Sequence, residues 1–265
     1  MKYSLVLGID AHTFEFFKLS GPTWRKNKPS LFAVPWVVFI DISQDPYLPE
    51  KVLEFIQELD SQVEVTIHTW PPKGADYSHW DGQTKWTNPQ RAKMLAGFCI
   101  VPVHVQTPYW LKLDVDVLAT GMDAWIEPSW FNGNPSIIAP SWNYTKPSNQ
   151  MLLLDSWAEK TNSFFQGTEP LNLHPEPHSS ILKHKRICSW CAFFSTEFTK
   201  VCANEVKKTC KPGNIPVGSQ DGFHWYCATR CGFSINRVQM KHRGWKLCSS
   251  LNSMHASLRE LGLTL

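Results

Sequence analysis

Tyr109-Trp-Leu-Lys-Leu-Asp-Val-Asp-Val-Leu-Ala119 sets two acids, Asp114 and Asp116, into an otherwise apolar run. With the two-residue period of a strand, Leu111, Leu113, Val115 and Val117 share one face, and Lys112, Asp114 and Asp116 share the other. Two like charges pointing the same way repel and raise one another's pKa unless a cation stands between or beside them. All-oxygen ligands favour a hard ion such as Mg²⁺ or Mn²⁺. The plainer alternative is a strand end whose acids pair with a nearby Lys or Arg. A metal site therefore needs a nucleotide site and a third ligand from elsewhere in the chain.

Upstream, short apolar runs that end in an acid recur. Ser4-Leu-Val-Leu-Gly-Ile-Asp10 predicts a strand feeding a helix through Leu19. Val34-Pro-Trp-Val-Val-Phe-Ile-Asp41 repeats the pattern after the Lys26-Asn-Lys-Pro29 loop, and Pro49 to Leu59 follows with Val52, Leu53, Phe55, Ile56 and Leu59 at helical spacing. A third strand, Val63-Glu-Val-Thr-Ile-His-Thr-Trp70, stops at Pro71-Pro72. Strand then helix, repeated with short loops, argues for an α/β fold with a mostly parallel, doubly wound sheet. Ligands of such sheets gather at the carboxyl ends of the strands, the edge expected to carry Asp10, Asp41 and Asp114. The polar, Trp-containing stretch from Lys73 to Asn88 reads as a long loop over that edge. Asn88-Pro89 then starts a helix with Arg91 and Lys93 in its first turn. Cations there oppose the macrodipole and ask for a local anion; phosphates are one, and two merely solvated charges are the alternative.

Downstream, Ser136-Ile-Ile-Ala-Pro140 reads as a strand and Ser148 to Ser163 as a helix. The Pro-rich loop Pro170 to His178 marks a subdomain boundary, dividing residues 1–170 from 171–265. Charge changes sign there. Residues 1–180 carry 13 basic and 19 acidic side chains, whereas residues 181–246 carry 12 and 3, a net +9 that includes Lys183, Lys185, Arg186, Lys207 and Lys208. A solvated basic face is one reading and a polyanionic partner the sharper one. Beyond the boundary lie a strand over Cys188 to Phe194, a helix from Thr196 to Lys208, the loop Lys211 to Gly218, a helix opened by Ser219-Gln-Asp221 and running through Arg230, and a tail containing Val238 to Lys246.

At 265 residues, 43% hydrophobic and 18% charged, the composition is that of a globular protein with a sizeable core. No window approaches twenty apolar residues, and Met1 to Asp10 is too short for a signal peptide, so the expectation is a soluble, cytoplasmic protein. Its eight cysteines are then expected to be reduced. Cys188-x-x-Cys191 and Cys227-x-x-x-Cys231 could supply four thiolates to zinc, but positions three apart on a strand face opposite sides, and buried apolar thiols are the default. The thirteen Trp exceed what core packing usually demands; flat surplus aromatics, Trp190 among them, suit sugar-binding or base-stacking clefts.

The order of these pieces resembles a GT-A glycosyltransferase, a single Rossmann-like domain that uses a nucleotide-sugar donor. Leu111-Lys-Leu-Asp-Val-Asp116 is similar to that family's Asp-x-Asp motif, whose acids hold a divalent metal on the donor diphosphate. Ser219-Gln-Asp221 before a helix resembles the later acidic position where inverting members keep the general base. His242 in Lys-His-Arg-Gly-Trp resembles the C-terminal histidine that completes the metal site in many members. The resemblance implies Mn²⁺ or Mg²⁺ on Asp114, Asp116 and His242, a donor, expected to be UDP-linked, near Asp10, Asp41, Arg91, Lys93 and Asp114, and proton acceptance by Asp221; Asp10 and Asp41 could equally cap the helices that follow them. Asp221 loses that role if anomeric configuration is retained, and its plainer role is a helix cap. The Gln-x-x-Arg-Trp box of processive members is absent, which argues for transfer of one sugar.

Acceptors mostly meet the second half of such folds, here the basic segment. A nucleic acid suits that field, and the preferred acceptor is a 5-hydroxymethylpyrimidine in DNA, the kind of base modification found in bacteriophages, with Trp190, Lys183, Lys185, Arg186, Lys207 and Lys208 as candidate contacts. A glycan or protein acceptor is the alternative. A sugar nucleotidyltransferase, and a zinc-stabilised nucleic-acid binder without activity, are the competing classes.

Overall fold

The computed structural model describes residues 2–70, 93–121, 123–142, 186–187, 189–209, 220–239 and 243–263. For residues 141–142, 186–187, 207–209, 220–222, 225, 229 and 230 it describes the backbone alone. The expected helix over Ser148 to Ser163 and the loops at 73–88, 170–178 and 211–218 lie outside the described residues.

Strand β1 (Tyr3–Ile9) runs into α1 (Ala11–Asn27) through Asp10. Asp10 is the N-cap, its Oδ1 accepting from the Thr13 N–H at 2.7 Å while the Thr13 hydroxyl satisfies the Asp10 N–H; such a capping box fixes where the helix starts. The helix does not stop at Leu19. It continues through Gly21 and Pro22 to Asn27, and Gly21 lies so close to the following helix that a Cβ there would sit 2.7 Å from Leu59 Cδ1. Strand β2 (Trp36–Asp41), helix α2 (Leu48–Leu59) and strand β3 (Val65–Trp70) follow as expected. Val52 and Ile56, four apart on one face of α2, are buried.

The chain then re-enters the described region at Lys93 and tightens into a π turn (Ala96–Ile100) and a 3₁₀ turn (Val101–His104) before β4 (Tyr109–Leu113). Two short strands, β5 (Val117–Ala119) and β6 (Ile137–Ala139), precede the pair β7 (Ser141–Trp142) and β8 (Arg186–Ile187). Strand β9 (Cys191–Ser195) leads directly into α3 (Thr196–Thr209); α4 (Gln220–Cys231), β10 (Ile235–Arg237), β11 (Trp245–Leu247) and α5 (Leu251–Glu260) complete the described fold.

Seven strands form one sheet in the order β10-β6-β9-β4-β1-β2-β3. All neighbours are parallel except β9, which lies antiparallel between β4 and β6. Strands from both sides of residue 170 therefore share one sheet. Its two faces carry separate cores. Leu5, Leu7, Ile9, Leu111, Leu113 and Phe193 pack on one face with α1, α2 and α5; Val6, Phe39, Trp110 and Phe194 pack on the other with α3 and α4. Alternate residues of a strand point to opposite faces, so each central strand feeds both cores and reads as a continuous apolar run.

This packing corrects one expectation and meets another. All eight Trp side chains that are described, at positions 24, 36, 70, 110, 125, 130, 190 and 245, are buried, and indole N–H groups of Trp24, Trp36 and Trp110 find partners at 2.6–2.7 Å. They are core residues rather than exposed stacking platforms. The buried apolar thiols expected by default are found at Cys99, Cys191, Cys202, Cys227 and Cys248, and the alternative zinc set is divided: Cys191 packs in the first core and Cys227 in the second, on opposite faces of the sheet. Cys188 lies outside the described residues. The described cysteines form no disulfide, and burial pushes the Cys227 thiol well above its ordinary pKa, with the neighbouring Cys202 adding to the shift.

Candidate active site

Asp10, Asp41 and Asp114 stand at the carboxyl ends of three adjacent parallel strands, β2, β1 and β4. The acid motif itself is not inside a strand. Strand β4 ends at Leu113, Val115 and Asp116 form a turn, and β5 resumes at Val117. Val115 remains buried beside Leu113 and Val117, so the alternation of the sequence persists through a break in the ladder. The break releases the acids from the sheet: the Asp114 N–H donates to Trp190 O at 2.8 Å, and the Asp116 carbonyl accepts from Cys248 N–H at 2.9 Å. Trp190 is thus a backbone support for the motif; its ring is buried in the first core.

The two acids are not equivalent. Asp114 Oδ1 is paired with the Lys112 ammonium. Asp116 Oδ1 is buried and has no hydrogen-bond partner. Burial, then the Asp114 charge, raise the Asp116 pKa from its ordinary 3.8 to about 6. A buried carboxylate oxygen without a donor is costly, and a hard divalent cation held by Asp116 with Asp114 would relieve that cost. The donor set therefore fits Mg²⁺ or Mn²⁺. Among the described residues no group of three or more His, Cys, Asp or Glu side chains could hold a metal, and His242 lies outside them.

A second charged cluster lies beyond the ends of β1 and β2. Lys93 Nζ donates to Asp41 Oδ2 at 2.8 Å and to Asp10 Oδ2 at 3.3 Å. Asp41 Oδ1 also accepts from Ser43 N–H at 2.9 Å. Burial works against ionisation of Asp10, but the Thr13 hydrogen bonds and the Lys93 ammonium outweigh it and hold the pKa below its ordinary value. Among the described residues two carboxylates face one ammonium, so Lys93 is paired here with Asp10 and Asp41 and the carboxylates keep acceptor capacity for hydroxyl and N–H donors.

These groups border a cavity of about 270 Å³ lined by Gly8, Ile9, Asp10, Thr13, Phe39, Lys93, Met94 and Phe98. Gly8 makes the wall possible: a Cβ there would lie 2.7 Å from Phe98 Cζ. The Phe98 ring also joins the cavity to the acid motif, since the Lys112 ammonium lies 4.8 Å from its centroid. Phe98, Thr13 and Lys112 were not candidates from the sequence. Only Lys112 left a signal there, two residues before Asp114 on the face of the acids.

The C-terminal segment returns to this region. Strand β11 pairs antiparallel with β5, Trp245 opposite Ala119. Gly244, at φ +75°, packs against Gly121, where a Cβ on Gly244 would lie 2.5 Å from Gly121 Cα; only glycine meets both demands. The preceding Arg243 pairs with Glu127, and its carbonyl accepts from Lys28 Nζ at 2.9 Å. Burial depresses the Lys28 pKa to about 8 despite the Asp123 charge. The chain immediately after His242 is thus firmly anchored. Asp221 is the second residue of α4, and for it, Arg186, Lys207 and Lys208 the backbone alone is described. Arg91, Lys183 and Lys185 lie outside the described residues.

No protein-family model matches the chain, and no curated protein matches it in sequence. Its fold is that of the GT-A glycosyltransferases. Core-mannan synthase A of Aspergillus fumigatus, in its Mn/GDP form, is similar with a TM-score of 0.59 and 9% identity, over 100% of this chain and 86% of that one. The mannosyltransferase Ktr4p of S. cerevisiae in complex with GDP is similar with a TM-score of 0.53 and 10% identity, over 92% and 71%. Among the described residues no helix is long and apolar enough to cross a membrane.

Proposed function

We propose that this chain is a metal-dependent glycosyltransferase that moves one sugar from a nucleotide-sugar donor to a hydroxyl acceptor. The observation that carries the reading is the orphaned Asp116 Oδ1, two residues from Asp114, at the carboxyl edge of a GT-A sheet. In this reading Asp114 and Asp116, with His242, hold a divalent cation. When bound, the cation stabilises the negative charge of the leaving nucleoside diphosphate. Asp10 and Asp41 accept hydrogen bonds from ribose hydroxyls or base N–H groups, Lys93 bridges the two acids, and Phe39 and Phe98 exclude water beside the nucleoside. Arg91 faces the phosphates, and Asp221 takes the proton from the acceptor hydroxyl as it attacks the anomeric carbon. A UDP-linked sugar is the donor expected from the family resemblance; the GDP of the two similar structures supports a GDP-linked sugar as its competitor.

The acceptor proposed is a 5-hydroxymethylpyrimidine in DNA. Its support is the charge of residues 181–246, net +9, for which a neutral glycan has no use. Lys183, Lys185, Arg186, Lys207 and Lys208 are the proposed phosphate contacts. The mannosyltransferase likeness favours a glycan or protein acceptor as the second reading. Offering DNA containing 5-hydroxymethylcytosine or 5-hydroxymethyluracil, unmodified DNA and a glycan panel separates the two by mass spectrometry. A hexose increment on modified DNA is expected, with log affinity falling by about 0.9 per neutralised phosphate for each tenfold rise in salt. Salt-insensitive transfer to a glycan, without any increment on DNA, overturns the DNA proposal.

A further inference from the structure

The acid motif contains a third charged side chain whose position calls for explanation. Lys112 is the penultimate residue of β4 and its side chain is 2% exposed. Its ammonium pairs with Asp114 Oδ1, donates to Ser189 O at 3.0 Å, and stands over the Phe98 ring. Strand β4 is flanked on both sides by paired strands, so the lysine stem is fixed by the sheet and the ammonium by Ser189 and Asp114. Desolvating an ammonium is expensive, and an apolar residue would fill a central strand more cheaply.

We infer that Lys112 is a positioning residue that serves as a built-in counter-cation and makes metal binding depend on the donor. The inference rests on the reading of Asp114 and Asp116 as metal ligands. Two carboxylates and one ammonium sum to one negative charge. A divalent cation added to that set leaves an excess positive charge in a site partly shielded from water, where like charges interact strongly. The diphosphate of the donor removes the excess, so cation and nucleoside diphosphate are held together more tightly than either alone. Without the ammonium, the two carboxylates alone balance the cation and a bare ion is accepted.

The test is direct Mn²⁺ binding, read from the electron paramagnetic resonance of the free ion, for the wild type, Lys112→Gln, Lys112→Arg and Asp116→Asn, each without nucleotide and with UDP or GDP. The nucleotide's own chelation is subtracted. Gln keeps a hydrogen-bond donor and loses the charge; Arg keeps the charge. The wild type is expected to gain at least about tenfold in Mn²⁺ affinity when nucleoside diphosphate is present. Lys112→Gln is expected to bind bare Mn²⁺ about tenfold or more tightly than the wild type and to gain less from nucleotide, while Lys112→Arg follows the wild type. A folded Lys112→Gln variant that binds bare Mn²⁺ no more tightly than the wild type overturns the inference. So does a wild type that binds Mn²⁺ equally well with and without nucleotide, an outcome that stands even if the variant does not fold. If neither wild type nor any variant binds Mn²⁺ under either condition, the metal-site reading itself fails; loss of binding in Asp116→Asn alone leaves that reading intact while Lys112 is judged.

Discussion

Asp116→Asn is expected to abolish sugar transfer and, in the metal-free protein, to raise the melting temperature. The first effect follows from the ligand count: removing one anionic oxygen from a site with few ligands releases the cation, and cation stabilisation of a leaving diphosphate is worth several kcal/mol, or about 10³-fold in rate. The second follows from the folded-state pKa. Burial and Asp114 raise it from the ordinary 3.8 to about 6, so the folded protein holds this proton more tightly than the unfolded chain. The stabilisation this group contributes is complete below about pH 4 and is lost as pH rises through about 6. Above that range the ionised Asp116 is a liability that Asn removes, and a gain of a few degrees is the scale expected for a chain of this size. Mn²⁺ together with nucleoside diphosphate should restore stability to the wild type and not to the variant, and cation binding should weaken as pH falls below about 6. Scanning calorimetry at pH 4.5 and 7.5, with and without Mn²⁺ and nucleoside diphosphate, measures all of this. A variant with full activity, or one that is less stable than the metal-free wild type at pH 7.5, contradicts the assignment.

Asp221→Asn should separate chemistry from binding. As the proposed proton acceptor at the start of α4, Asp221 contributes to the transition state and not to donor affinity. Turnover is therefore expected to fall by about 10²-fold or more, the usual scale for a lost general base, with the donor dissociation constant unchanged. Asn remains a competent residue near a helix N-terminus, so the fold is expected to survive. Single-turnover kinetics beside equilibrium donor titration distinguish the roles. An unchanged turnover would leave Asp221 as a helix-terminal residue only, and a parallel loss of affinity would place it among the binding groups.

The central sheet was legible because β1, β2 and β3 are apolar runs closed by an acid or a proline pair, and because α2 shows its buried face at helical spacing. Strands β5, β10 and β11 have three residues each, too few to display a period. The apolar run at Cys191–Ser195 identifies a buried strand, but burial on both faces hides direction, and β9 is the antiparallel member. Val115 and Val117 continue the alternation of Leu111 and Leu113, which concealed the turn that frees Asp116. At the site, the acids at strand ends could be placed in advance because topology alone brings them to one edge. Their partners could not. Lys93 meets Asp10 and Asp41 across 83 and 52 residues, and a helix-start lysine looks the same in sequence whether it waits for a phosphate or is already paired with two carboxylates. The excess of Trp is likewise ambiguous in sequence, and the eight described rings lie in the two cores.

Cation-assisted transfer from a nucleotide sugar is tested by incubating the protein with a panel of UDP- and GDP-linked sugars and Mn²⁺, and following products by mass spectrometry. Steady release of free nucleoside diphosphate from one class of donor is expected, abolished by EDTA and by Asp116→Asn. Release of pyrophosphate from a nucleoside triphosphate and a sugar phosphate, or donor turnover that EDTA leaves untouched, would contradict it.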